Sequence, residues 1–184
     1  MRLEVEREVL APPHVVWDVL VTWELQPRWM LDAIDVEVLT AERAGVGVTI
    51  KCPTRLLGFR VNDVMRVTAW KPPHHLEVEH LGRIITGSGA FELEALPGGV
   101  ARDVARPGRA TRPGDATQSG DATPPGDATR VVWWEVVDPP LGRLGEWGAS
   151  TFVLPLMRRL FARSLANLGD LAERRHAGDL PADT

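Results

Sequence analysis

The chain has 184 residues, 44% hydrophobic and 25% charged, which suits one globular domain with a full core and leaves too little length for two. Its single cysteine, Cys52, excludes a disulfide framework and a cysteine-built zinc or iron–sulfur centre, and fits a reducing compartment. A formal net charge of −4 disfavours nucleic acid as a partner, because non-specific binding needs a basic stripe that displaces counterions.

The first eight residues alternate charge with aliphatic side chains and contain no apolar signal core. No stretch approaches the roughly 18 consecutive apolar residues of a membrane span, so no transmembrane segment is expected and a cytoplasmic location is the expectation. Leu3, Val5 and Val9 share one face of an alternating segment, the period of a half-buried strand. Pro12 and Pro13 suit the opening of a helix, where Val16, Leu20 and Trp23 recur on one face. Pro27 is expected to interrupt it, leaving a second short turn over residues 28–31.

Alternation then predicts three strands carrying Val36 and Val38, then Val46, Val48, Ile50 and Cys52, then Phe59, Val61, Met65 and Val67. Residues 71–74, with Pro72 and Pro73, read as a turn. Leu76, Val78 and His80 share a face of a fifth strand, and Gly82-Arg83 suits a two-residue hairpin. Ile85, Gly87, Gly89, Phe91 and Leu93 form the matching face of a sixth strand, and Val131, Trp133, Glu135 and Val137 that of a seventh. From about residue 151 to 174 the period becomes helical, with an apolar stripe of Leu154, Met157, Phe161, Leu165, Leu168 and Leu171.

Residues 106–129 are four tandem hexapeptides, RPGRAT, RPGDAT, QSGDAT and PPGDAT. Alanine cannot fill the stack of a β-helix, so 101–129 is expected to be a disordered Pro/Gly-rich insert at a hairpin tip. The expected domain is therefore 1–176 with that interruption, followed by a flexible tail over 177–184.

Four phrases carry a resemblance: Ala11-Pro12-Pro13-His14-Val15-Val16-Trp17-Asp18-Val19-Leu20, Val67-Thr68-Ala69-Trp70-Lys71-Pro72-Pro73, Thr129-Arg130-Val131-Val132-Trp133, and Arg163-Ser164-Leu165-Ala166-Asn167-Leu168. Together with the order of elements, they make the sequence similar to the superfamily of polyketide cyclases, START lipid-transfer domains and birch-pollen-allergen-like proteins. The resemblance implies an α+β helix-grip fold. In it a seven-stranded curved antiparallel sheet wraps a long C-terminal helix, two short helices follow the first strand, and a cavity lies between sheet and helix. A sheet and an amphipathic helix, each with one apolar face, must bury those faces together, which supports the same geometry. Gly87 and Gly89 on the inward register either bend their strand or leave space for a ligand.

No serine elbow, phosphate loop or cysteine pair is present. His74 and His75 read as exposed turn residues rather than metal ligands, and neither a metal nor a cofactor is expected. The informative residues are polar groups in inward registers, because buried polar groups need partners. These are Arg7, Asp63 between Val61 and Met65, His80, and Glu135. The first and seventh strands are neighbours in the implied fold, which suggests an Arg7–Glu135 bridge. The register across the proline turn sets Met65 opposite His80 with Asp63 diagonally beyond. A bulge that flips one register would instead put these groups in water. Trp133, with Phe91 opposite, is the candidate for stacking a planar ligand, with Met157 and Phe161 contacting it from the helix. The expected partner is a hydrophobic small molecule, a lipid, isoprenoid or polyketide, bound without a catalytic step. Alternatives are a polyketide aromatase or cyclase, weakened by the lack of any tyrosine, and a protein-interaction adaptor.

Overall fold

The computed structural model describes residues 2–56, 58–82, 85–97, 127–137 and 154–179. Strand β1 (Arg2–Val9) is followed by α1 (Pro13–Val21), a 3-10 turn (Trp23–Leu25) and α2 (Gln26–Trp29). Strands β2 (Glu37–Val38), β3 (Thr49–Leu56), β4 (Phe59–Lys71), β5 (His75–Leu81), β6 (Thr86–Leu96) and β7 (Ala128–Val137) come next, and α3 (Leu154–His176) ends the order. The strands form one antiparallel seven-stranded sheet in the order β1-β7-β6-β5-β4-β3-β2. This is the helix-grip arrangement that the sequence implies.

One face of the sheet carries the buried side chains of Leu3, Val5, Met65, Val67, Leu76, Val78, Phe91, Leu93, Val131 and Trp133, and α3 covers it with Leu165, Leu168 and Leu171. Two aromatic groups fill the space at opposite parts of this face. Trp17 meets Trp70 edge-on at 5.1 Å, with Trp23 alongside at 6.4 Å. Trp29 meets both Phe91 and Trp133 edge-on at 6.0 Å.

Helix α3 is tied down through its second half. A Cβ at Gly169 would stand 2.9 Å from Arg7 Nε and 3.1 Å from Val9, so glycine permits the close approach to β1. There Arg7 reaches Asp170 at 2.8 Å. Ser164 Oγ accepts the Leu31 N–H at 3.1 Å, and Asn167 donates to the Trp29 carbonyl at 3.3 Å.

Several expectations need correction. Val46 and Val48 precede β3, because Gly45 and Gly47 adopt φ of 101° and 94° and turn the chain before the ladder starts. Pro27 lies in the first turn of α2 rather than ending a helix. Phe59 sits at a strand end, 76% exposed. The β5–β6 connection is not a two-residue hairpin, since the last pair is Leu81 with Thr86. That register differs by two residues from the expected one, which preserves the inward face. The insert boundary also moves. Ala128 pairs with Leu96, and the buried Thr129 hydroxyl donates to the Ala11 carbonyl at 2.7 Å, so both belong to β7. Residues 106–126 of the repeat lie outside the described residues. Residues 177–179 cap α3 in a turn, with Gly178 at φ 80° and the Asp179 N–H bonded to the Arg174 carbonyl, rather than starting a free tail.

Candidate functional site

Met65 pairs with His80 as expected, although by a different route. Lys71 pairs with His75, one residue later than a strict two-proline turn allows, and a bulge between Val67 and Ala69 removes the extra residue. The bulge lies toward Trp70, so Asp63, Met65 and His80 keep their inward register and are all buried.

His80 stands between two carboxylates. Its Nδ1 lies 2.9 Å from Asp63 Oδ2 and 3.1 Å from Oδ1, and its Nε2 lies 3.0 Å from Glu135 Oε2. Trp133 completes the network by donating its indole N–H to Glu135 Oε1 at 2.9 Å. Burial alone would lower the pKa of His80, but hydrogen bonds and charges of Asp63 and Glu135 outweigh it and push the value up to about 10. At neutral pH His80 is therefore an imidazolium that donates from both nitrogens. Glu135 reaches it across β6 only because Gly89, its pairing partner, has no side chain; a Cβ there would collide with the Glu135 carboxylate. The volume left by Gly89 is thus taken by a protein carboxylate.

The aromatic wall adjoins this network. Phe161 lies parallel to the Trp133 ring at a centroid separation of 4.2 Å, and Phe91 stacks on it at 4.9 Å with a 22° tilt. The stacking surface expected for a planar ligand is occupied by Phe161 from α3, with Met157 also packed against the core. Val61 is half-buried on the β4 register beyond Asp63.

Arg7 does not join the network. It pairs with Val131 while Glu135 pairs with Leu3, so a four-residue offset, about 13 Å along a strand, separates them, and Arg7 turns to Asp170 instead. Two residues unmarked by periodicity do join. Asp32, after α2, has a carboxyl held above its ordinary range by burial and by the charges of Asp63 and Glu135, and its Oδ1 is buried without a partner among the described residues. Trp29 contributes the edge of the wall. Cys52 is buried, its thiol pushed up to about 11 by burial, with the nearby Asp63 and Asp32 charges adding to the rise.

Among the described residues there is no group of histidine, cysteine and acid side chains arranged to hold a metal, and no helix long and apolar enough to cross a membrane. His74 is exposed, its Nδ1 3.2 Å from the Leu93 carbonyl, and His75 stands 3.5 Å from Glu77. Both border a shallow groove of about 550 Å³ on the outer face of the sheet, with Arg2, Arg130 and Trp134.

Residues 1–173 match the family described as polyketide cyclase / dehydrase and lipid transport. The chain belongs to that family. Solved structures agree on the architecture of this polyketide cyclase / dehydrase relative. The protein TTHA0849 of Thermus thermophilus superposes with a TM-score of 0.67 at 16% identity, over 94% of this chain and 97% of that one. The Zhui aromatase/cyclase of Streptomyces sp. R1128 does so with a TM-score of 0.65 at 17% identity, over 95% and 94%. A START superfamily protein of Mycobacterium smegmatis follows with 0.58 at 12% identity, over 97% and 99%. Identities this low show the shared fold alone. A search of curated proteins finds no match.

Proposed function

We propose that this family member binds and carries a hydrophobic small molecule between the sheet and the first half of α3, with the Asp63–His80–Glu135 network as the polar end of the site. The observation that carries this reading is that His80 is hydrogen-bonded at both ring nitrogens to buried carboxylates, which hold its proton well above the ordinary histidine range. A general base needs a free lone pair near neutral pH, and a general acid must be able to release its proton to substrate. His80 offers neither, so the network orients a bound molecule rather than transferring a proton. The aromatic wall supplies the apolar contact area that a pocket of this kind requires.

Polyketide aromatase or cyclase activity is the second reading. Asp32 favours it, being a half-buried acid with one enclosed carboxyl oxygen and a raised pKa that is not engaged with His80.

A solvatochromic apolar dye should bind saturably to the purified full chain with a dissociation constant on the order of 1 μM, roughly 8 kcal/mol. Native mass spectrometry of the protein from its own cells should show a co-purifying apolar mass. Absence of both saturable dye binding and a co-purifying mass would defeat the carrier reading.

A further inference from the structure

Among the described residues, the polar end of this interior has almost no hydrogen-bond donors left. Both His80 N–H groups go to Asp63 and Glu135, and the Trp133 N–H goes to Glu135. Acceptors remain in excess, since each carboxylate oxygen accepts up to two hydrogen bonds. Asp32 Oδ1 is buried and has no partner among the described residues. One buried donor, Trp29 Nε1, is likewise without a described partner. Three carboxyl groups and one imidazolium share the region, and the charges of Asp63 and Glu135 already act on Asp32.

We propose that the molecule bound here presents a hydrogen-bond-donating polar end, a hydroxyl or an ammonium, and that the site rejects hydrophobic carboxylates such as fatty-acid anions. This inference rests on the carrier reading and names the class of cargo. A donor end satisfies the spare acceptors, and burying an acceptor without a partner costs about 1–3 kcal/mol. A hydroxyl can also accept from Trp29 Nε1. A ligand carboxylate would bring a further anion beside Asp32, Asp63 and Glu135, with the imidazolium already committed to two of them. The pole is built rather than incidental, because Gly89 vacates the space through which Glu135 reaches His80.

The test compares four probes of one shape on the full wild-type chain at pH 7.5 by calorimetry: 2-naphthol, 2-naphthylmethylammonium, naphthalene and 2-naphthoate. The naphthol or the ammonium should bind at least tenfold more tightly than the naphthoate, about 1.4 kcal/mol, and the tighter of the two identifies the donor. Naphthoate binding as tightly as both donors, or naphthalene matching them, would overturn the proposal while leaving the carrier reading intact. No binding by any probe would overturn both. Asp32→Asn, checked for folding by its melting curve, should narrow the ratio between donor and naphthoate at least threefold. An unchanged ratio in the folded variant would contradict the assignment of Asp32, and the wild-type comparison decides the donor preference without it.

Discussion

The two halves of α3 are held to the same sheet in different ways. Between Ser164 and Ala172, six residues are buried, and Ser164, Asn167 and Asp170 each bond to a distant element. Between Leu154 and Phe161 no side chain is fully buried, and the main attachment is the Phe161 ring on Trp133. One half fixes the helix on the sheet by close packing and side-chain bonds. The other covers the aromatic wall with fewer buried contacts, and on the proposed carrier reading these are the contacts a ligand would replace.

Truncation should expose the difference most strongly. Leu168→Ala in the packed half, where the side chain is 0% exposed, should cost about 3 kcal/mol of stability in urea denaturation. Phe161→Ala should cost only about 1 kcal/mol, mostly the ring stacking, while shifting dye affinity several-fold. Equal losses of stability would erase the distinction between the halves.

A second comparison lies within the network. Gly89→Ala should displace the Glu135 carboxylate and leave His80 Nε2 without its acceptor, at about 1–3 kcal/mol. The His80 ring, titrated by NMR, should then show a lower pKa. In a Glu135→Ala background the Gly89→Ala change should leave that titration unaltered, and a further shift there would mean that Gly89 acts on His80 by another route.

The pH dependence has a defined sign. The pKa of His80 is raised in the folded protein from 6.5 to about 10, so the folded state holds this proton more tightly than the unfolded chain. The resulting stabilisation is fully present below pH 6.5 and is lost as pH rises through about 10. Denaturation midpoints should fall across that window in the wild type and fall less in Asp63→Asn. A wild-type midpoint that rises over the same window would contradict the paired imidazolium.

Period-two alternation put Asp63, Met65, His80, Phe91 and Trp133 on one face, because a buried sheet face constrains every second residue at once, but Met65 stands opposite His80 only because the bulge between Val67 and Ala69 offsets the longer turn. It could not give the offset between β1 and β7, so Arg7 and Glu135 share a face but stand too far apart to bridge. Asp32 and Trp29 lie in and after a four-residue helix, where no repeat marks which side chain turns inward. The purpose of Gly89 was also hidden, since it depends on a carboxylate contributed by a strand on the far side of the insert.

Trp133 and Trp134 are adjacent in β7 and face opposite ways, which provides an internal control for where cargo binds. Trp133 is buried in the network, whereas Trp134 lies on the outer face with the Arg2 guanidinium 5.1 Å from its ring and Glu92 3.4 Å from its N–H. The most direct measurement is the pair of indole N–H signals in a nitrogen-15 NMR titration with the apolar dye. Binding between sheet and helix should shift Trp133 saturably together with the His80 ring while Trp134 stays in place. A shift at Trp134 with Trp133 and His80 unmoved would place the ligand on the outer groove and contradict an interior site.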